Sequence, residues 1–282
     1  MILVPENELP KKLEAESSTD VVASTSAPEN STHDPPPTYT PFDSSGSSQS
    51  GARFPLPRDV KPSNFTSLSI GNAAIKGTWV VDPTLVIPKE FLAPLAKDET
   101  EENRKNLLLE SKNGSVDANI FVMPMRADAL AVIKERKRVI IRCASRNGSV
   151  TARIHDVQLP SHPNDLRPPL QVSLHSLNGA INLHLPRSYR GPLRIRTFNG
   201  SVRFSDAVQS SLTQFSEVDR VKRNFLGHFD PSEFDASVQW AGDELDAETM
   251  NGAVRVYFDD EGSPPGAQKP KSPGFLERLF RF

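Results

Sequence analysis

The dipeptide Asn-Gly occurs five times in this sequence, and the residues around it repeat as well. The five pairs are Asn113-Gly114, Asn147-Gly148, Asn178-Gly179, Asn199-Gly200 and Asn251-Gly252. A serine or threonine lies two residues before each Asn, and apolar residues lie four and six residues before it and three and five after it. Because mostly polar residues fill the positions between, both flanks alternate with a period of two, which is typical of half-buried β-strands. Each copy is therefore predicted to be a strand, a tight corner and a second strand.

The chemistry of Asn-Gly suits a corner. Both residues tolerate a positive φ, which costs other residues roughly 1 kcal/mol or more. A two-residue turn would pair the residue two before each Asn with the residue three after it, so core-facing positions would meet core-facing positions in every copy. The side chains expected inside are Ile141, Val150, Val172, Ile181, Leu183, Ile195 and Val202. Those expected outside are Arg142, Thr151, Asn182 and Arg203.

The copies are unevenly spaced, at 34, 31, 21 and 52 residues between successive Asn residues. The shortest spacing is close to the bare unit, and the longer ones are predicted to contain insertions. Residues 206–226 place apolar side chains near helical spacing, which predicts an added helix, and residues 158–169 are predicted to form a loop. Residues 68–81, with Gly71 and Asn72 at their centre, are predicted to be a divergent additional copy.

A repeat of about 20 residues is compatible with two all-β folds. In a β-solenoid the successive coils stack and each Asn-Gly corner lies over the next. In an antiparallel β-sandwich or roll the copies are hairpins. The constant Ser or Thr favours stacking, because one small polar residue type repeated at a corner can form a ladder, whereas the irregular spacing favours the sandwich. We expect an all-β domain over residues 63–260, with the solenoid or roll preferred.

The segments on either side have a different composition. Residues 1–62 hold ten of the 25 prolines and few large apolar residues, so this arm is predicted to be disordered. Residues 261–282 are predicted to be a linker and a short aromatic-basic tail that makes at most a weak contact with a membrane or a partner. No run approaches the roughly 18 apolar residues of a transmembrane span, and the N-terminus lacks the pattern of a signal peptide. Cytoplasmic residence is therefore expected.

Two known groups share parts of this pattern. The motif Ser/Thr-x-Asn-Gly-Ser/Ala-Val resembles the bacterial putative-adhesin repeat domains, which have β-helical folds. The overall layout, with a Pro-rich arm, an Asn-Gly repeat domain and a short aromatic tail, is similar to a fungal domain of unknown function common in mushroom-forming species. The resemblance covers roughly residues 63–260. It implies the fold class and supplies no catalytic residues.

The arm contains one recognisable peptide ligand. Pro36, Pro37, Thr38 and Tyr39 match the Pro-Pro-x-Tyr ligand of WW domains. Prolines favour an extended left-handed helix at low entropic cost, and the tyrosine fills a second groove of such a domain. The alternative is a chance string in a Pro-rich segment. If the element is used, the expected partner is a WW-domain protein such as a ubiquitin ligase, and the chain would be its adaptor or its substrate.

Other functional classes lack support in the sequence. The 33 basic and 35 acidic residues give a net charge of −2 with no basic stripe interleaved with aromatics, so no nucleic-acid partner is expected. Serine nucleophile elbows, phosphate-binding Gly loops and zinc-helix motifs are absent. His175 and His184 would lie nearly opposite each other in the hairpin register, but no Cys or carboxylate accompanies them at ligand spacing, so no metal or cofactor is expected. Cys143, the single cysteine, is predicted to be a buried hydrophobe.

These observations predict a non-enzymatic interaction or adaptor module whose arm binds a WW-domain protein. The alternative is an exported adhesin-like or carbohydrate-binding structural protein.

Overall fold

The computed structural model describes residues 54–97, 99–125, 138–157, 167–234 and 240–261. The Pro-Pro-x-Tyr element, most of the predicted arm and the predicted tail after residue 261 lie outside these ranges.

The described residues are nearly all β-structure. The strands are β1 (Pro62–Ser63), β2 (Thr66–Ile70), β3 (Ile75–Val81), β4 (Leu107–Ser111), β5 (Val116–Val122), β6 (Val139–Ser145), β7 (Val150–Asp156), β8 (Leu170–Ser176), β9 (Ile181–Leu185), β10 (Gly191–Thr197), β11 (Val202–Phe204), β12 (Leu212–Val218), β13 (Val221–Leu226), β14 (Glu244–Thr249) and β15 (Val254–Phe258). One helix, α1, spans Asp206–Ser210, and short 3-10 helices span Lys89–Phe91 and Pro231–Glu233.

The strands form two sheets. The order in the seven-stranded sheet is β1-β3-β5-β7-β9-β15-β11, and the order in the eight-stranded sheet is β12-β13-β10-β14-β8-β6-β4-β2. The strand before each Asn-Gly lies in the eight-stranded sheet and the strand after it lies in the seven-stranded sheet. Strands of different copies pair in parallel, so that Leu109, Cys143 and Leu174 lie side by side. The predicted hairpin pairing across each Asn-Gly is therefore wrong, because the corner joins two sheets and does not close a ladder.

The core lies between the two sheets and follows the predicted phase. Ile141, Val150, Val172, Ile181, Leu183 and Ile195 are buried as predicted, and Val202 is half-buried. Arg142, Thr151 and Asn182 are partly exposed and Arg203 is exposed. Alternation fixes which side chains enter the core whether the strands pair in parallel or antiparallel, and so this prediction is confirmed although the pairing was wrong.

The copies do not stack in the order of the sequence. Numbered along the chain, copies 1 to 6 are β2/β3, β4/β5, β6/β7, β8/β9, β10/β11 and β14/β15. Copy 1 is the predicted divergent copy, and its strands pair in parallel with β4 and β5. Copy 6 lies between copies 4 and 5, because β14 pairs with both β8 and β10. The expectation that each corner lies over the next one in sequence is wrong at this point.

The insertion at 206–226 differs from the predicted helix. Only Asp206–Ser210 is helical, and β12 and β13 form an antiparallel hairpin that extends the eight-stranded sheet. The turn of the hairpin is Asp219 and Arg220, both at positive φ. The register shifts between Gln214 and Ser216, which breaks the period of two and produces the misleading helical spacing.

Residues before the expected domain boundary at residue 63 also contact the sheet. Phe54 makes a parallel bridge with Val157. Together with Leu56 and Val60 it packs against a buried cluster of Val80, Phe121 and Val157. Three apolar residues in a short Pro-containing segment cover part of the sheet, although they show no strand or helix periodicity.

Candidate functional site

The Asn residues of the corners form one continuous ladder. Each side-chain amide donates to the Oδ1 of its neighbour in the stack. The pairs are Asn113 to Asn72 (2.7 Å), Asn147 to Asn113 (2.7 Å), Asn178 to Asn147 (2.9 Å), Asn251 to Asn178 (2.8 Å) and Asn199 to Asn251 (2.9 Å). The ladder runs along an exposed edge of the domain, and each internal Asn donates to one neighbour and accepts from the other.

The corners require Gly because neighbouring corners approach each other closely, and not because of the expected positive φ. Gly227 is the only described glycine with a positive φ, so none of the five corner glycines uses the left-handed region. A Cβ added to Gly148 would instead lie 2.6 Å from the carbonyl carbon of Gly114 and closer still to its oxygen. Gly179, Gly252 and Gly200 face the backbone of their neighbours in the same way. The stacked corners approach so closely that no side chain fits between them.

The Ser or Thr before each corner links neighbouring copies. Ser145 Oγ donates to the carbonyl oxygen of Gly114 (2.8 Å) and accepts from the N–H of Gly148 (2.9 Å). The same donation to a neighbouring carbonyl is made by Ser111, Ser176, Thr249 and Thr197. Copy 1 has Ile70 and Ala73 at the Ser/Thr and Gly positions, which fits its place at the end of the stack, where no described corner lies beyond it.

A shallow groove lies beside the corners on the outer face of the eight-stranded sheet. Its volume is about 350 Å³. It is lined by Ser69, Glu110, Ser111, Lys112, Ala144, Ser145, Arg146, His175 and Leu177. Glu110 forms an ion pair with Arg142 (Oε1 to Nε, 3.2 Å). The side chains of Lys112, Arg146 and His175 have no hydrogen-bond or ion-pair partner within the described residues. We call this surface the basic groove.

The residues of the basic groove do not stand out in the sequence pattern. Lys112 and Arg146 directly precede a corner Asn, at a position outside the apolar alternation. Only the parallel stacking of copies 2 and 3 makes them neighbours. The signal that could have found them is the alignment of the copies itself, once successive corners are placed on top of one another.

A buried ionic cluster holds copy 6 in place at the other end of its strands. Asp243 accepts hydrogen bonds from the backbone N–H groups of Leu170 (2.8 Å), the first residue of β8, and of Arg190 (2.9 Å), which directly precedes β10. It also binds the guanidinium of Arg167 through both carboxylate oxygens (2.9 and 2.7 Å). Burial alone would lower the pKa of Arg167, but the hydrogen bond to Asp243 and the charges of Asp243 and Asp156 raise it. Asp243 therefore connects the strands on both sides of β14.

A family comparison assigns the domain. The family described as a domain of unknown function, DUF7330, matches residues 64–261. The chain belongs to the DUF7330 family. No curated protein and no solved structure matches it. The matched range contains all six copies of the repeat, so the stacked corners and the basic groove are both parts of this DUF7330 domain.

His155 joins three parts of the DUF7330 domain. Its ring nitrogens bind Asp259 Oδ2 (3.2 Å) and Asn119 Oδ1 (2.7 Å). The ring centroids of Phe54 and Phe121 lie 4.3 and 4.8 Å from that of His155. The cluster thus connects the segment before β1 with the central strands and with the end of β15, and the neighbouring Asp156 has a separate partner in Arg167.

The two histidines considered as a metal pair are not brought together. His175 is in β8 of one sheet and His184 is in β9 of the other. His184 stacks on Tyr257 at 5.0 Å, and burial together with the charge of Arg153 lowers its pKa. Within the described ranges no group of three or more His, Cys, Asp and Glu side chains is placed to hold a metal ion.

The remaining predictions concern single residues and the membrane. Cys143 is fully buried as predicted, and burial raises its pKa to about 12, so the thiol is unreactive. Among the described residues no helix is both long and apolar enough to cross a bilayer. The structure places the predicted turn residues at the corners, while Pro36, Pro37, Thr38 and Tyr39 lie outside the described residues.

Proposed function

We propose that this DUF7330 chain is a non-enzymatic interaction module whose arm recruits a WW-domain protein. The ligand is the Pro-Pro-x-Tyr element formed by Pro36, Pro37, Thr38 and Tyr39. This element carries the proposal, because its two prolines favour the extended conformation that WW domains bind and its tyrosine supplies the second contact. A WW-containing ubiquitin ligase is the proposed class of partner, with this chain as its adaptor or substrate in the cytoplasm.

The chemistry of the domain supports a scaffold role. The buried groups that could serve in acid-base catalysis bind elements of the fold to one another: Asp243 and Arg167 connect β8, β10 and β14, and His155 with Asp259 connects β15 to the central strands. These buried charged and imidazole groups therefore have a structural role in holding the strands together. A domain whose chain also contains a peptide ligand is suited to bringing two proteins together.

The test is binding of the full chain to a panel of purified WW domains. Wild-type protein is expected to bind with a Kd in the micromolar range or weaker, on the order of −8 kcal/mol at most. Tyr39→Ala should abolish binding, because the aromatic ring is lost. Thr38→Ala is the matched control and should bind as wild type does, because the motif leaves that position free. Binding that survives Tyr39→Ala would refute the proposed ligand, as would a wild-type chain that binds no domain of the panel.

We also propose that the stack is a β-solenoid with one copy out of order. The Asn, Gly and Ser/Thr ladders between neighbouring corners support this description, as does the resemblance to the adhesin repeats.

A second candidate function, an exported carbohydrate-binding protein, is favoured by the ring of Tyr257 stacked on His184 near Arg153 on the outer face of the seven-stranded sheet. Cell fractionation separates the two functions, since the adaptor requires an intracellular chain and the adhesin-like protein an exported one.

A further inference from the structure

The basic groove is built around two cations held side by side by the repeat. Lys112 and Arg146 occupy the same position in copies 2 and 3, and the N–H of Asn147 donates to the carbonyl oxygen of Lys112 (2.9 Å), which sets their register. Neighbouring strands lie about 4.8 Å apart. Both side chains are exposed, so they can converge on one group above the sheet.

The charges in the groove depart from the pattern on the rest of this sheet face. Elsewhere the arginines of one strand face the acids of the next, as in Arg194 with Asp246 and Arg196 with Glu248 (both 3.6 Å). In the groove, the carboxylate of Glu110 is bound by Arg142, and Lys112 and Arg146 keep no acidic partner within the described residues. The groove therefore presents an excess of positive charge and unused hydrogen-bond donors.

The depression itself comes from a small residue. Ala144 lies in register between Glu110 on one side and His175 on the other, so its methyl group forms the floor between two long side chains. The volume of about 350 Å³ is at the lower end of the range for small-molecule sites. The groove has room for one compact anionic group, and the imidazole of His175 provides a third polar contact.

An apolar row continues from the two cations. The residues directly before the corner Asn, taken in stacking order, are Lys112, Arg146, Leu177, Met250 and Phe198. Met250 is 43% exposed and Phe198 is 38% exposed. At about 4.8 Å per copy the row is about 19 Å long. A ligand lying along it would meet Lys112 and Arg146 at one end and apolar side chains beyond them, with the guanidinium of Arg220 5.9 Å from the ring centroid of Phe198 at the far end.

We propose that the basic groove binds the phosphate group of a phosphorylated peptide, with an apolar flank of that peptide on Leu177, Met250 and Phe198. A guanidinium binds two phosphate oxygens at once and an ammonium adds a point charge, which is the pair of donors that Arg146 and Lys112 supply. Polybasic membrane sites use clusters of about four to eight basic residues, and specific DNA-binding proteins neutralise several phosphates. Two cations in a short groove of a chain with net charge −2 match a single phosphate on a peptide. This proposal does not depend on the function proposed for the arm.

The experiment uses the full chain and an immobilised library of degenerate peptides with a central phosphoserine, beside the same library without phosphate. We expect selective binding to the phosphorylated library. For the best peptide of that library, Arg146→Ala should weaken binding about tenfold or more, because a hydrogen bond to a charged group is lost. The matched control is Arg203→Ala, which removes an exposed arginine from the outer face of the other sheet and should leave binding unchanged. Tyr39→Ala should also bind as wild type does.

Three results would overturn the proposal. Equal binding to both libraries would show that phosphate is not recognised. Equal losses of phosphopeptide binding for Arg146→Ala and Arg203→Ala would show that binding depends on the net charge of the protein and not on the groove. Binding to vesicles that contain a monophosphorylated phosphoinositide, without binding to phosphopeptides, would assign the groove to a lipid headgroup. Melting curves of Arg146→Ala and wild type should coincide, since the Arg146 side chain has no partner within the described residues, and this excludes unfolding as the cause of lost binding.

Discussion

The side-chain amide of Asn251 donates to Oδ1 of Asn178 at 2.8 Å, although 73 residues separate them in the chain. Asn199, which follows Asn178 in the next copy of the sequence, donates to Asn251 (2.9 Å) and not to Asn178. Copy 6 therefore lies between copies 4 and 5 in the stack. The two sheets cannot be completed until β14 and β15 are in place, because each of them pairs with a strand on either side.

The out-of-order copy predicts a large effect for Asp243→Ala. This carboxylate binds the backbone N–H groups at the start of β8 and just before β10 and also neutralises Arg167, so its removal leaves a buried cation without its main partner. The expected loss of unfolding free energy is about 3–5 kcal/mol, measured by urea denaturation. Asp246→Ala, three residues further on in β14, is the control. Its carboxylate is half-exposed and 3.6 Å from Arg194, so the loss should be within about 1 kcal/mol. Similar losses for the two variants would contradict the role of Asp243.

The close approach of the corners predicts that Gly148 tolerates no side chain. Gly148→Ala would place a methyl group against the backbone of Gly114, and the corners would have to separate. We expect a loss of roughly 3 kcal/mol in unfolding free energy, at the upper end for overpacking. Gly71→Ala is the matched control, because a Cβ at Gly71 meets open space and the change should stay within about 1 kcal/mol. Thermal and urea unfolding of both variants provide the test, and a stable Gly148→Ala would refute the stacking argument.

The sequence was sufficient to predict the strands and their buried faces, and it was insufficient to predict the pairing. Ile141 and Val150 had to be core-facing in any β-fold with this alternation, so their burial could be predicted locally. Parallel pairing of Leu109 with Cys143 depends on contacts between copies. These contacts do not affect the alternation of apolar and polar residues along each strand. The one local sequence feature that indicated stacking of the copies was the Ser or Thr before each corner, and these side chains do form a hydrogen-bonded ladder.

The candidate site was less predictable than the fold. Lys112 and Arg146 meet only because copies 2 and 3 stack, and Asp243 meets Arg167 only because copy 6 is displaced, so neither pair is close in sequence. The Asp219-Arg220 turn was missed for a different reason. It uses positive φ at two residues that are not glycine, and the register shift at Gln214 disguised the strand before it.

The contact of Phe54 with the domain predicts two different outcomes for truncation. Removal of residues 1–53 should leave the melting temperature nearly unchanged, because this segment is rich in proline and polar residues and poor in large apolar ones. Removal of residues 1–62 should lower it, because Phe54, Leu56 and Val60 would no longer cover Val80 and Phe121. Phe54→Ala in the full chain should cost roughly 1–3 kcal/mol, since the partly buried ring also packs on His155. Equal melting temperatures for the two truncations would show that this segment does not stabilise the domain.

The buried carboxyl of Asp259 predicts an unusual pH dependence. Its side chain is fully buried, and Oδ1 has no hydrogen-bond partner within the described residues. Burial raises the pKa of Asp259, while the hydrogen bond with His155 opposes the shift and the charge of Asp260 adds to it. Because the pKa is higher in the folded state, the ionised carboxylate destabilises the protein near pH 7. This cost disappears as the pH falls through the folded-state pKa towards the unfolded value of about 3.9.

Asp259→Asn should therefore gain stability relative to the parent at pH 7, and the gain should shrink as the pH falls towards 4. Urea denaturation of both proteins across this range measures the difference. Asp230→Asn should give the opposite trend, because hydrogen bonds from the side chain and the backbone N–H of Ser232 lower the pKa of Asp230. That carboxylate stabilises the folded state above its unfolded pKa, and the contribution is lost as the pH falls through the folded value. If Asp259→Asn is less stable than the parent at pH 7 and recovers in acid, then the hydrogen bond to His155 outweighs burial.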